Sequence, residues 1–416
     1  MEPRKLKMAH GNWVEGDRFW GREADLALFA SMIDAGAHQL LIAQRRMGKT
    51  SLMKETARRL GDRYIAVFVD LQKCSASPDA IVELSLAFYP YQPLWKKLTG
   101  VFGNMAERVR ENVEKVDLGE IGLKLRTGLI GEWQRKGDEL LNVLANSELP
   151  VLLLVDEAPI LVNRILKGND YRITPERRGQ ADAFLSWLRD NSIRHQGKIR
   201  IVLSGSIGLE PVLRQGRLSA TLNNFEPFEL KPWDEATACG CLEALAANYG
   251  LEYEPNAPKK MVDMLGCCIP NHVQMFFRHA HDWCARQHVN KISNQTVETV
   301  YNKELLSIRG HTELTHYEDR LKMVLGEEIL PVALELLTET AVVGYLTPQT
   351  TAILTRGYDL CSMSVPEAER EILEILEHDG YIERREDRYR FVSKLLRDWW
   401  KARYEFGYTP ASERGA

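Results

Sequence analysis

Several things are missing from this chain of 416 residues, and each absence removes a class of function. No run of about 18 uncharged apolar residues occurs, so no membrane-spanning helix is expected. The charged start, MEPRKLKMAHG, lacks the apolar core of a secretory leader, which points to the cytoplasm. None of the seven cysteines forms the C-x-x-C pairs that bind structural zinc. Cys239 and Cys241 form a C-x-C and Cys267 and Cys268 are adjacent, but in a reduced protein these read as small buried apolar residues. There is no surplus of positive charge either: the net charge is -4, so nucleic acid is not attracted globally and any such binding needs a local patch. What remains is an ordinary globular composition, 44% apolar and 27% charged, in a chain long enough for two or three domains.

The organising stretch is QLLIAQRRMGKTSL, residues 39–52. A short apolar run leads into an Arg-rich turn and the triplet Gly48-Lys49-Thr50, a strand, a phosphate loop and the first turn of a helix. Backbone N–H groups of such a loop and the helix N-terminus surround a phosphate, the lysine adds a point charge, and the threonine hydroxyl ligates Mg2+. Against the pattern G-x-x-x-x-G-K-[ST] one letter differs, Ala43 standing where the first glycine is usual.

Along the chain, residues 1–18 read as a polar arm. A helix follows with Leu26, Phe29 and Ile33 on one face, and after the phosphate loop the helix TSLMKETARRLG stops at Gly61. YIAVFVDLQ, Tyr64 to Gln72, is a strand whose polar end, Asp70 and Gln72, is expected near the phosphate loop. Residues 75–148 form a mostly helical insertion, with VDLGEIGLKLRTGL at Val116–Leu129 either a short hairpin or a loosely helical piece. Its thin basic face argues against a membrane-surface role.

ELPVLLLVDEAPIL then supplies a central strand ending in Asp156-Glu157. Two carboxylates leaving a buried strand are costly unless they face a cation or water. Beside a phosphate loop, Asp156 holds the Mg2+ shell and Glu157 orients or deprotonates the attacking water. The segment KGNDYRITPERRGQ reads as exposed and mobile. KIRIVLSGS is another strand, whose end at Ser204-Gly205-Ser206 can sense the γ-phosphate or the water, and FEPFELKPW is the last core strand. Alternation of strands and helices implies a doubly wound parallel α/β layer.

From Asp234 the pattern turns helical to about residue 308. Beyond a linker at Ile308–Leu314, helices around 316–325, 328–342 and 366–379 precede GYIERREDRYRFVS, a hairpin turning at Glu386-Asp387, and a last helix, LLRDWWKARYEF. Three helices and a two-stranded wing make a winged helix. From Tyr381 to Glu405 eight Lys/Arg face five Asp/Glu, a surplus of three, and Arg384, Arg385, Arg388 and Arg390 are the candidate nucleic-acid contacts.

Taken together, FWGREADL, LLIAQRRMGKTSL, VLLLVDEAP, IRIVLSGSIGLEPVL and GCCIPNHVQMF resemble the prokaryotic AAA+ ATPases of the STAND class, including archaeal-type ATPases related to origin-recognition initiators. The resemblance spans roughly residues 19–300, and a C-terminal winged helix is usual in that class. It implies ATP and Mg2+ as cofactors, a core over 19–233, a helical lid over 234–310 and the winged helix over 311–416. Lys49 and Thr50 would be Walker A, with Arg45, Arg46, Met47, Gly48 and Ser51 completing the loop. Asp156 and Glu157 would be Walker B and Ser204 or Ser206 sensor 1, while Phe19, Gly21, Arg22 and Pro270 would flank the nucleotide. The lid motif departs from Gly-x-Pro, running from Gly266 to Pro270 with two extra residues. Arg214 and Arg217 are candidate arginine fingers for a neighbour in a nucleotide-dependent homo-oligomer. Such proteins are slow switches, and no appended effector domain is expected here, so output passes through a protein partner or assembly. A DNA-bound initiator or transposition-regulator role is the alternative.

Overall fold

A computed structural model describes residues 5–9, 13–102, 129, 131–219, 221–307, 311–358 and 364–414. The chain divides into two units, one of Ala24–Ile42 and Lys49–Glu229, the other of Met1–Glu23, Ala43–Gly48 and Leu230–Ala416.

In the first unit the elements run α1 (Glu23–Ala35), β1 (His38–Ile42), α2 (Lys49–Leu60), β2 (Ile65–Asp70), α3 (Ser77–Leu86), α4 (Gln92–Val101) and α5 (Trp133–Ala145). Then follow β3 (Val151–Asp156), α6 (Ala158–Lys167), α7 (Pro175–Arg194), β4 (Ile199–Ser204), α8 (Leu209–Gln215) and β5 (Phe225–Glu229). The five strands form one parallel sheet in the order β2-β3-β4-β1-β5. β3 and β4, with neighbours on both sides, are buried at every position; VLLLVD is apolar up to Asp156, while IRIVLS carries one buried charge, Arg200, whose Nε donates to the Ile33 carbonyl at 3.2 Å. β5 lies at an edge, where Pro227 can stand without removing a ladder bond. Parallel pairing brings the carboxyl ends of β1, β3 and β4 to one side, the position at which open α/β sheets bind ligands.

The segment expected to be exposed and mobile is exposed over most of its length, and half of it is helical. Asn163 is buried in α6, which runs to Lys167, and α7 starts at Pro175 with Thr174 capping the Arg177 amide at 3.2 Å. The short connection is tied down by Arg177, whose Nη1 donates to the carbonyls of Lys167 at 3.0 Å and Arg172 at 2.8 Å. Apart from buried Leu129, the Val116–Leu129 piece lies outside the described residues.

The second unit holds α9 (Glu235–Tyr249), β6 (Glu252–Tyr253), α10 (Ala257–Leu265), α11 (Pro270–Gln287), β7 (Lys291–Ile292) and α12 (Asn294–Val300), the last running into a short π-helix at Tyr301–Leu305. Asp234 caps α9 by accepting from Thr237 N at 2.7 Å, and Gly250 closes it with φ 67°. The N-terminal arm is docked rather than loose: Leu6 and Met8 are buried, and the amides of residues 6, 8 and 9 donate to Ala244 O, Tyr249 Oη and Gln274 Oε1.

After these come α13 (His311–Val343), α14 (Pro348–Thr355), α15 (Val365–His378), β8 (Ile382–Arg385), β9 (Arg388–Phe391) and α16 (Lys394–Tyr404). Gly326, with φ 78° and ψ 178°, breaks α13 where two separate helices are expected. An isolated antiparallel bridge ties Leu346 to Tyr389 of the two-stranded β8–β9 hairpin, and Trp399 and Trp400 of α16 are fully buried. This is a winged helix, with α14 as an additional helix. No helix among the described residues is long and apolar enough to cross a membrane.

Candidate nucleotide site

In the first unit the site is built at the carboxyl end of β3. Thr50, in the first turn of α2, donates from Oγ1 to Asp156 Oδ2 at 2.7 Å. Asp156 is buried, and burial followed by the charge of Glu157 pushes its carboxyl above the usual range, against the opposing pull of the Thr50 hydroxyl and Lys49. The pair is a hydroxyl and a carboxylate, the oxygen donor set that a hard divalent cation takes. Lys49 and Ser51 are buried beside it on the same helix start. On the neighbouring strand Asp70 stands in register with Asp156 and is exposed, its Oδ1 accepting from Gln72 N at 2.8 Å.

Glu157 leaves β3 in the left-handed region, φ 59°, and heads α6. Its Oε2 accepts from Ser206 N at 2.9 Å and from Ser206 Oγ at 2.8 Å. Gly205 makes this approach feasible, because a Cβ there would stand 2.5 Å from Pro159 Cδ. The two sensor candidates therefore separate. Ser206 reaches Glu157, whereas Ser204 is fully buried within β4, opposite Leu41, and its hydroxyl has no hydrogen-bond partner among the described residues.

In the second unit, Arg46 at φ 67° and Gly48 at φ 94° turn the loop so that successive amides can line a concave anion site. Arg22 Nη2 donates to the Met47 carbonyl at 3.2 Å, both residues being buried. Phe19 is buried, and Trp20 Nε1 donates to Thr237 O at 3.1 Å. Gly21, φ 66°, meets the start of α9 so closely that a Cβ would lie 2.4 Å from Thr237 Cγ2. Pro270 opens α11 and is buried.

Arg45 Nη1 donates to the His316 carbonyl at 3.3 Å, and burial, then the charges of Arg320 and Arg46, push its guanidinium down to about 10. No sequence signal flagged His316, Tyr317, Gly380 or Tyr381 as neighbours of the loop. Arg214 and Arg217 are both exposed, Arg214 paired with Glu210 at 2.9 Å. The wing arginines are exposed but do not form one patch. Arg385, Arg388 and Arg390 share a face with Glu383, while Arg384 lies opposite Tyr389 on the other. Arg385 Nε donates to Glu383 at 2.7 Å and Arg388 lies 4.5 Å from the centre of the Tyr345 ring. Among the described residues no cluster of His, Cys, Asp and Glu could hold a metal by itself, and burial drives the adjacent thiols of Cys267 and Cys268 up, to about 12 and about 11.

The sheet order, the loop after β1 and the C-terminal winged helix are those of an α/β P-loop protein of the AAA+ type. No protein-family model matches the sequence, and no curated protein sequence matches it. Among solved structures the chain resembles a Walker-type ATPase of Pyrococcus abyssi at TM-score 0.57 and 15% identity, over 94% of this chain and 98% of that one. It also resembles the ORC2 protein of Aeropyrum pernix, solved in ADPNP–ADP complexes, at TM-score 0.50 and 12% identity, over 92% and 95% of the two chains. At these identities the likeness is one of fold, the archaeal ORC-like AAA+ fold.

Proposed function

We propose that this chain binds ATP with Mg2+ and hydrolyses it slowly, as a switch whose nucleotide state governs partner or self association. The observation that carries the reading is the Thr50–Asp156 hydrogen bond at the end of β3, beside Glu157 held by Ser206. The A. pernix ORC2 protein, solved in ADPNP–ADP complexes, shares the fold and supports the choice of nucleotide.

Bound Mg2+ would neutralise charge on the transferring phosphate. Thr50 and Asp156 would hold it, and relief of the buried carboxylate favours its binding. Lys49 and the amides of the loop stabilise charge on the phosphates. Glu157, fixed by the two Ser206 donors, orients the attacking water and accepts its proton. Phe19, Gly21, Arg22 and Pro270 shape the remainder of the nucleotide site. Arg214 and Arg217, exposed, would serve a neighbouring copy in an oligomer.

The alternative, a DNA-bound initiator type, finds less support in the winged helix. α15, which precedes the wing, carries Glu367, Glu369, Glu371, Glu374 and Glu377 against the single Arg370. A helix of that charge is repelled by a phosphate backbone, and Glu383 faces three of the four wing arginines. A protein partner is therefore favoured. Lys49→Ala should abolish ATP binding, and Glu157→Gln should keep binding and stop turnover; unchanged phosphate release in both variants would defeat the ATPase reading. A salt-titrated duplex-binding assay with and without ATP decides between the roles, since steep salt dependence requiring Arg385, Arg388 and Arg390 would favour the DNA role.

A further inference from the structure

The phosphate loop, Ala43–Gly48, packs in the same unit as the winged helix. At its Gln44-Arg45 corner the contacts are specific. Arg45 donates to the carbonyl of His316, near the start of α13. Gly380 meets Gln44 at such short range that a Cβ there would lie 2.2 Å from Gln44 Cδ. The next residue, Tyr381, is buried and donates from Oη to the carbonyl of Tyr317 at 2.6 Å. Tyr317 Oη in turn lies 3.3 Å from Nε2 of His272, two residues beyond Pro270. A continuous path thus joins the lid helix start, two buried tyrosines of the winged-helix segment and the phosphate loop.

Electrostatics make the Arg45 end of this path exchangeable. Its guanidinium is largely removed from water beside Arg46 and Arg320, and among the described residues no carboxylate pairs with it. A neutral carbonyl is a weak partner for a cation in positive surroundings, and a phosphate oxygen is a much stronger one.

Resting on the nucleotide-binding reading above, we propose that Arg45 discriminates ATP from ADP by exchange. The winged-helix segment around His316, Tyr317, Gly380 and Tyr381 holds it in the present conformation, and the terminal phosphate of ATP competes for it. By linkage, ATP loosens this docked segment to the same degree that the docked segment weakens ATP. ADP, lacking the competing phosphate, is insensitive to it.

The test uses the full chain, Mg2+ and fluorescent ATP and ADP analogues in equilibrium titrations. Tyr381→Phe deletes the bond to the Tyr317 carbonyl and leaves that carbonyl buried, so it weakens docking. ATP-analogue affinity should rise about three- to tenfold while ADP-analogue affinity stays within about twofold. In an Arg45→Ala background the same Tyr381→Phe change should have no effect on the ATP-to-ADP ratio, which is the coupling that a merely structural tyrosine would not produce. A Tyr381→Phe ratio equal to that of the wild type, or an equal shift with and without Arg45, overturns the proposal. Should either variant fold poorly, hydrogen exchange of the unmodified protein decides: the amides of Gly380 and Tyr381 must lose protection with the ATP analogue and not with ADP, and equal protection overturns the exchange. A wild-type chain that binds neither nucleotide overturns the ATPase reading itself, a result distinct from nucleotide binding without the shift.

Discussion

Ser204 and Ser206 offer a paired perturbation in which two similar hydroxyls, two residues apart, should respond oppositely. Ser206→Ala removes one donor to Glu157 Oε2, the Ser206 Oγ at 2.8 Å, and leaves the Ser206 backbone N–H at 2.9 Å. A hydrogen bond to a charged group contributes about 1.5–3 kcal/mol. The carboxylate is half-buried and keeps its second donor, so the loss is nearer about 1 kcal/mol, which is about fivefold in rate. Because Ser206 takes no part in the Thr50–Asp156 pair, kcat for phosphate release should fall about fivefold and the ATP Kd should stay within about twofold.

Ser204→Ala removes a hydroxyl that is fully buried and has no partner among the described residues. A desolvated unpaired polar group costs about 1–3 kcal/mol, and alanine leaves almost no void in its place. The melting temperature should therefore rise, by about 2–4 °C for each kcal/mol recovered in a unit of about this size, with kcat unaltered. Steady-state phosphate release and thermal melts of both variants supply the comparison. A kcat loss in Ser204→Ala matching that of Ser206→Ala, or no loss in the latter, would refute the assignment of the sensing role to Ser206.

Gly21→Ala forces a Cβ to within 2.4 Å of Thr237 Cγ2 at a backbone φ of 66°, so it should destabilise its unit by about 1–3 kcal/mol and weaken ATP binding in titrations, whereas Gly179→Ala, with nothing within 4 Å, should cost far less. Asp398 supplies a pH signature. Burial works to raise its carboxyl, but donors from Lys394, Arg397 and Tyr301 outweigh that and hold it below the usual carboxylate range. A folded value below the unfolded one gives stabilisation that is complete above about pH 4 and lost as pH falls through the folded value. Asp398→Asn should lower the melting temperature at neutral pH and flatten its acid dependence below about pH 4, and an unchanged acid profile would count against the cluster.

Much of the fold is legible because burial on both faces leaves a plain mark. β3 and β4 are surrounded by neighbouring strands and helices, so β3 stays apolar until the chain leaves the sheet at Asp156, and the one charge inside β4, Arg200, is paired with the Ile33 carbonyl. The wing is equally readable. Its turn at Glu386-Asp387 places Glu386 at φ 56° between two short polar strands closed by Ile382 and Phe391. α14 was hidden because Gly344 and Pro348 resemble loop punctuation. Pro348 instead occupies the first helical position, and Thr347 accepts from Thr350 N at 3.1 Å, a cap too short in its context to stand out. KGNDYRITPERRGQ is exposed over most of its length, as its polarity says, but only residues 168–174 form the connection, the rest being the end of one helix and the start of the next.

The phosphate loop divides along the same line between local and long-range information. Ala43 departs from the usual glycine without backbone strain, because the positive φ angles of this loop fall at Arg46 and Gly48. Gly48 accepts its angle freely, while Arg46 stands in a region that costs an L-residue about 1–2 kcal/mol. Such a conformation persists only where its surroundings enforce it. The enforcement comes from both sides of Arg46: Arg22 grips the Met47 carbonyl and Arg45 is anchored on His316. The first anchor lies in FWGREADL, a segment readable in the sequence as part of the site. The second comes from a residue 271 positions away, and no periodicity or spacing near the loop encodes it. If a phosphate takes Arg45 from His316, the same strained turn is then held by nucleotide on one side and by Arg22 on the other, so the loop keeps its shape while the winged-helix segment loses its hold.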